Sequence, residues 1–150
     1  MANNIKNLVK YYVNTYKTNN PFELADYLKI VVQKGILGDY YGCYMYLKKH
    51  RCIFLNSDLN PFTEKMVMAH ELGHAILHIK VNCCFMKNKT LLSTTKIERQ
   101  ANLFATELLL PDKIIVECFE KGYTLDQIAE EHQVHKEFVL LKLEGLSNYN

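Results

Sequence analysis

From residue 63 to about residue 79 the chain reads as one helix that is apolar nearly all round, with Met68, Leu72, Ala75, Ile76 and Ile79 covering the side away from His70 and His74. A helix of that kind lies inside a fold, so the rest of the chain must be arranged to cover it. Two imidazoles carried into such an interior need partners, because an unpaired polar group there costs about 1–3 kcal/mol. A metal ion supplies one. At about 3.6 residues per turn, His70 and His74 project from the same face about 6 Å apart, and Glu71 stands about 100° round the helix beside the open coordination position. The run His70-Glu71-Leu72-Gly73-His74 thus pairs a metal grip with a built-in base, as in metal-assisted peptide hydrolysis.

A catalytic zinc site takes three protein ligands and a water, so a third must be found. His78 lies one further turn along, but the eight residues from His70 to His78 rise about 12 Å, too far to share a tetrahedral ion. It reads as a solvated or packing histidine. The metzincin pattern fails too, because its glycine and third histidine would fall at Leu77 and Lys80. Glu98 is the strongest remaining candidate: it opens a second helix whose apolar stripe (Ile97, Ala101, Phe104, Ala105, Leu108) is suited to pack against the first. Asn102, one turn on, has the spacing to hydrogen-bond a liganding imidazole and fix its tautomer. Glu107 sits about 180° from Glu98 and points away. The bland alternative for Glu98 is a carboxylate favouring the helix dipole. A closed structural zinc site lacks its usual four Cys or His ligands, and vicinal Cys83-Cys84 is too close to chelate well.

Elsewhere, Ile5, Leu8, Val9, Tyr12, Val13 and Tyr16 fall at helical spacing. Asn20, Pro21 and Glu23 form a start signal for a short second helix through about residue 28. Residues 30–32 read as a strand, with Gly35 and Gly38 marking the turn out of it. Residues 40–47 and 52–55 read as a hairpin around a solvated basic turn, Lys48-Lys49-His50-Arg51. Tyr40, Tyr41, Tyr44 and Tyr46 are mainly packing residues in that reading, with one available to stabilise an oxyanion. Residues 80–95 show no period and read as a long loop beside the site. Helical spacing resumes over 97–110 until Pro111 stops it, and three shorter helices follow near 112–121, 125–132 and 136–145.

At 150 residues, 49% hydrophobic and 23% charged, the chain is sized for one compact domain or a domain with a small helical appendage. No apolar run approaches the roughly 18 residues needed to cross a bilayer, and the start Met-Ala-Asn-Asn-Ile-Lys lacks a signal-peptide core. Five cysteines without a disulfide-framework spacing favour a reducing, cytoplasmic setting and buried, small-hydrophobe roles. Residues 1–111 hold 14 basic and 8 acidic side chains, against 4 and 8 in residues 112–150. A tail of net negative charge is poorly suited to grip phosphates, so direct DNA binding is not expected. On the would-be recognition helix, Lys136 and Lys142 are offset by Glu137 and Glu144.

With His-Glu-Leu-Gly-His at 70–74 and Glu-Arg-Gln-Ala-Asn-Leu-Phe-Ala-Thr-Glu-Leu-Leu-Leu-Pro at 98–111, the sequence resembles the ImmA/IrrE family of zinc metallopeptidases, and the likeness extends over most of the chain. The resemblance implies a small thermolysin-like fold, zinc held by His70, His74 and Glu98, Glu71 as base, and limited cleavage of a helix-turn-helix repressor of a phage, mobile element or stress regulon. In the tail, the position where helix-turn-helix segments usually carry glycine is Gln133, which predicts a distorted turn. The expected architecture is α+β. Residues 1–111 form a zincin-like core, a three-stranded, mainly antiparallel sheet over two metal-site helices, and residues 112–150 form a helical segment packed on it, resembling a helix-turn-helix. Residues 52–56 are expected as the edge strand that pairs with an extended protein substrate. Two histidines and a carboxylate accept Zn2+, Mn2+ or Fe2+. The alternative from another class is a non-catalytic DNA- or repressor-binding regulator with a structural metal.

Overall fold

A computed structural model describes residues 1–87 and 95–147. Its elements are α1 (Ala2–Tyr16), α2 (Pro21–Tyr27), β1 (Val31–Gly35), β2 (Tyr40–Leu47), β3 (His50–Asn56), α3 (Pro61–Leu77), β4 (Cys83–Met86), α4 (Lys96–Leu109), α5 (Asp112–Glu120), α6 (Leu125–Glu131) and α7 (Lys136–Ser147).

The apolar helix is the centre of the molecule. Asn60 caps α3 by accepting the Thr63 amide at 2.8 Å, Pro61 opens its first turn, and every residue from Met66 through Ala75 is buried. The sheet covers one side of α3 and α4 the other. At Gly73 the two helices nearly touch: a Cβ there would lie 3.1 Å from both Cα and O of Ala101 and 3.2 Å from Cβ of Phe104. Gly73→Ala gains about 1 kcal/mol of helix propensity, but overpacking costs about 1–3 kcal/mol and the obstructing atoms are backbone, which yields little. The expected outcome is a lower melting temperature together with weaker metal retention, since α4 carries Glu98; thermal melts and chelator competition check both.

The sheet has four strands in the order β1-β3-β2-β4, with β1 parallel to β3 and β2 antiparallel to both β3 and β4. Three expectations change here. The fourth strand, β4, lies in the stretch read as loop; its four residues are too few to show a period, and residues 88–94 of that stretch lie outside those described. Residues 52–56 are interior, paired on one side from Val31↔Cys52 to Gly35↔Asn56 and on the other with β2, for example Gly42↔Leu55. Their backbone groups are already used, so the edges of the described sheet are β1 and β4, and β4 is the edge strand that carries Phe85 against His70. Gly35 ends β1 rather than standing in the turn, which Gly38 serves with φ 56°.

The hairpin turn is confined to Lys48 and Lys49, whose φ values of 48° and 64° are those of a two-residue turn matched to strand twist. Arg51 is no part of a solvated turn. Its guanidinium donates to the carbonyls of Leu28 at 2.8 Å and Ala75 at 3.2 Å, tying the ends of α2 and α3 to the sheet. Cys43 and Cys84 stand opposite each other in the β2–β4 register and are joined as a disulfide, so the cysteines are not all unpaired small hydrophobes. Asn20 caps α2 through the Phe22 amide at 2.9 Å, while Glu23 accepts the Thr18 hydroxyl instead of turning back to the cap.

Ile115, Ile128, Val134, Phe138 and Val139 of the last three helices and their connections join the same buried core as α3 and α4. Between α6 and α7, Gln133 adopts φ 52°, and the Val134 amide donates to Ala129 O at 3.0 Å. The turn therefore takes the left-handed conformation without a glycine, instead of being distorted. Lys142 is buried, with Nζ 2.7 Å from Glu107 Oε2 and 2.5 Å from Asp112 Oδ1, and Lys6 of α1 also pairs with Asp112. An ammonium locked in this way cannot reach a DNA backbone.

Candidate metal centre

Helices α3 and α4 bring His70, His74 and Glu98 to one point. His74 Nε2 lies 3.0 Å from Glu98 Oε1, His70 Nε2 lies 3.3 Å from Glu98 Oε2, and the two Nε2 atoms are 3.2 Å apart. Three ligand atoms each about 2.0–2.1 Å from one tetrahedral ion would stand about 3.3 Å apart. The side chains are thus spaced as such an ion requires, and among the described residues they form the one group of three that converges so. Glu98 reaches the cluster from the first turn of α4, which Thr95 caps through the Glu98 amide.

The histidine rings are held from behind. Asn102, itself buried, accepts from His70 Nδ1 at 2.7 Å, which leaves the His70 Nε2 lone pair facing the cluster. Phe85 of β4 stacks on the His70 ring at 4.6 Å and fixes its other side. Burial keeps His74 below the usual imidazole range, which favours the neutral, coordinating form. Burial works to raise the Glu98 carboxyl, but the His70 and His74 rings beside it outweigh burial and hold it well below the usual carboxylate range.

Glu71 is 0% exposed, and neither carboxylate oxygen has a hydrogen-bond partner among the described residues. Burial pushes its carboxyl up to about 8, against the pull of His70. A cation at the neighbouring cluster acts in the same sense as His70 and favours the ionised base. Gly42 makes the room: a Cβ there would lie 2.9 Å from Val67 Cγ1 and 3.4 Å from Glu71 Cγ, so only a bare backbone lets β2 run this close over the carboxylate. A buried, unpartnered carboxylate beside two imidazoles and a second carboxylate fits a divalent cation and the water it would carry.

Three contributors escape a reading of periodicity, Phe85, Gly42 and Gln100, and a fourth, His78, is legible only by its spacing from His74. His78 is half-buried and packs on the His74 ring, and it also has a partner at each ring nitrogen. Its Nδ1 lies 3.1 Å from His74 Nδ1 and its Nε2 2.8 Å from Gln100 Oε1. Spacing of four from His74 was the available signal. Tyr44 drops out as an oxyanion donor, because its hydroxyl donates to the Ile79 carbonyl, and burial pushes its phenol up to about 12.

Comparison with known proteins bears on this site. The family model described as the IrrE N-terminal-like domain matches residues 25–144. The chain is 43% identical over 147 residues to the uncharacterized immunity region protein 2 of Bacillus phage phi105, covering 97% of this chain and 93% of that one. It is 32% identical over 148 residues to metallopeptidase ImmA of Bacillus subtilis (strain 168), covering 97% and 88%. Similarity to the radiation response metalloprotease IrrE of Deinococcus radiodurans is 28% over 110 residues, covering 63% of this chain and 31% of that protein.

Proposed function

Because the chain belongs to the ImmA/IrrE family of metallopeptidases, we propose that it is a metal-dependent endopeptidase making a limited cut in a protein substrate, a helix-turn-helix repressor controlling a phage or other mobile element. The observation that carries the reading is the spacing of 3.0–3.3 Å among His70 Nε2, His74 Nε2 and Glu98 oxygens beside the unpartnered Glu71 carboxylate. In this reading His70, His74 and Glu98 hold the ion, zinc first and manganese or iron as alternatives. The ion supplies Lewis acidity, lowering the pKa of water and polarising the scissile carbonyl.

The protein's own residues do the rest. Glu71 takes the proton of the attacking water and returns it to the leaving amine. Asn102 keeps His70 in the tautomer that presents Nε2. Strand β4, paired with β2 on one side, offers its other edge to an extended substrate segment, with main-chain hydrogen bonds aligning the scissile bond. The repressor class is supported by the resemblance in the site motifs and by the name of the phage relative, an immunity region protein. No helix among the described residues is long and apolar enough to cross a membrane, and a repressor substrate places the reaction in the cytoplasm.

The test is elemental analysis of the purified chain, followed by its incubation with the repressor encoded nearest its gene and mass spectrometry of the products. One metal ion per chain and a single pair of fragments are expected, both lost in Glu98→Ala. A protein that binds no metal, or an intact repressor after incubation with the loaded protein, overturns the proposal.

A further inference from the structure

We propose that His78, seated by Gln100, is a positioning residue that fixes the tautomer and ring orientation of His74. The inference rests on the reading of His74 as a metal ligand. An imidazole that coordinates through Nε2 carries its proton on Nδ1 and must donate it to something. For His70 that acceptor is the Asn102 amide oxygen at 2.7 Å. For His74 the atom facing Nδ1 is a second ring nitrogen, His78 Nδ1, at 3.1 Å. Two ring nitrogens hydrogen-bond only when one carries the proton and the other a lone pair. The third contact decides which: His78 Nε2 lies 2.8 Å from Gln100 Oε1, an acceptor when the amide is so oriented, so the proton of His78 sits on Nε2 and its Nδ1 is left to accept. Donation therefore runs in one direction, from His74 Nδ1–H to His78 and from His78 Nε2–H to Gln100, and the His74 Nε2 lone pair is turned toward Glu98 and His70.

The backbone explains how His78 gets there. Helix α3 ends at Leu77, and His78, with φ −130° and ψ 48°, leaves the helix while its amide still donates to His74 O at 2.8 Å. Its ring stays against His74, with centroids 5.2 Å apart, and swings toward α4, where Gln100 waits. Both imidazoles of the cluster are thereby braced from α4, one directly by Asn102 and the other through His78 by Gln100. The second brace makes α4 a source of orientation as well as of the Glu98 carboxylate.

The experiment measures metal affinity by chelator competition and the His74 tautomer by long-range proton–nitrogen NMR on histidine-labelled, zinc-loaded protein. His78→Phe keeps an aromatic ring but no acceptor, and zinc affinity should fall roughly 10–100-fold, the usual cost of losing an outer-shell partner, with His74 no longer held in a single Nδ1–H form. His78→Asn places an amide oxygen near the former Nδ1 and should restore most of the affinity and the tautomer. Gln100→Leu should loosen binding less than His78→Phe. If His74→Ala binds zinc as tightly as the wild type, the ligand assignment fails. If His74→Ala loses zinc while His78→Phe keeps wild-type affinity and the Nδ1–H form of His74, the positioning role alone is overturned. Equal losses in His78→Phe and a correctly folded His78→Asn would also overturn it, because they would point to bulk rather than to the acceptor.

Discussion

Glu71→Gln is expected to bind metal as the wild type does and to cleave its substrate at least about 10²-fold more slowly, and up to about 10⁴-fold, the range associated with removing a general base. The two side chains have the same shape, Glu71 is not among the convergent ligand atoms, and the site is closed around it. Only proton transfer is removed. The same substitution should stabilise the metal-stripped protein near pH 7. In the unfolded chain the carboxyl ionises near its ordinary value, whereas burial holds it up to about 8 in the fold. Between those values the unfolded state sheds a proton that the folded state keeps, so the wild type loses stability as pH rises through that window and the glutamine variant does not. The melting-temperature gap should close toward pH 4. A Glu71→Gln protein that still cuts a protein substrate of the wild type at the wild-type rate would remove Glu71 from the mechanism, and equal pH profiles would contradict its buried environment.

Lys142→Ala should cost about 3 kcal/mol of folding stability, the low end of the usual 3–5 kcal/mol for removing one partner of a buried ion pair. The Lys142 side chain is 1% exposed, against 16% for Glu107 and 35% for Asp112, so the stranded charges are partly wetted and Asp112 keeps Lys6. That is why the low end applies. The effect should come from uncompensated charge rather than lost packing, so the double substitution Lys142→Met with Glu107→Leu should recover most of the loss. Denaturant unfolding of the wild type, Lys142→Met, Glu107→Leu and the double variant measures this coupling. If Lys142→Ala unfolds at the wild-type midpoint, the ion cluster does not hold the last helix on the body.

Much of this was legible because the informative residues sit on long helices with strong periodicity. The faces of α3 and α4 could be drawn from spacing alone, and the geometry that brings His70, His74, Glu98 and Asn102 together is that drawing made three-dimensional. What stayed hidden depended on contacts between elements. Nothing local tells Cys52 or Leu55 that β1 will pair on their far side, because parallel pairing of β1 with β3 is decided by how the chain crosses the sheet. Strand β4 was hidden by its brevity. By charge Lys142 reads only as a cation offset by Glu144 on a would-be recognition helix, although its spacing of four from Phe138 places it on the buried stripe of α7. His78 is too far along the helix from His70 to share an ion with it, and its partner is the nearer His74.

The bridge between Cys43 and Cys84 has a consequence for the unfolded chain. The two residues are 41 apart, and the loop between them contains all of α3 with both histidines. Closing a loop of that length removes roughly 4 kcal/mol worth of chain entropy from the denatured ensemble in the entropic treatment. With the thiols reduced, that constraint is gone, and β4 is retained by its ladder to β2 and by the packing of Phe85 on His70 and Tyr41. A four-residue edge strand held that way belongs to the parts of a fold that open first. The local opening equilibrium of the strand beside His70 is therefore coupled to the redox poise of the surroundings.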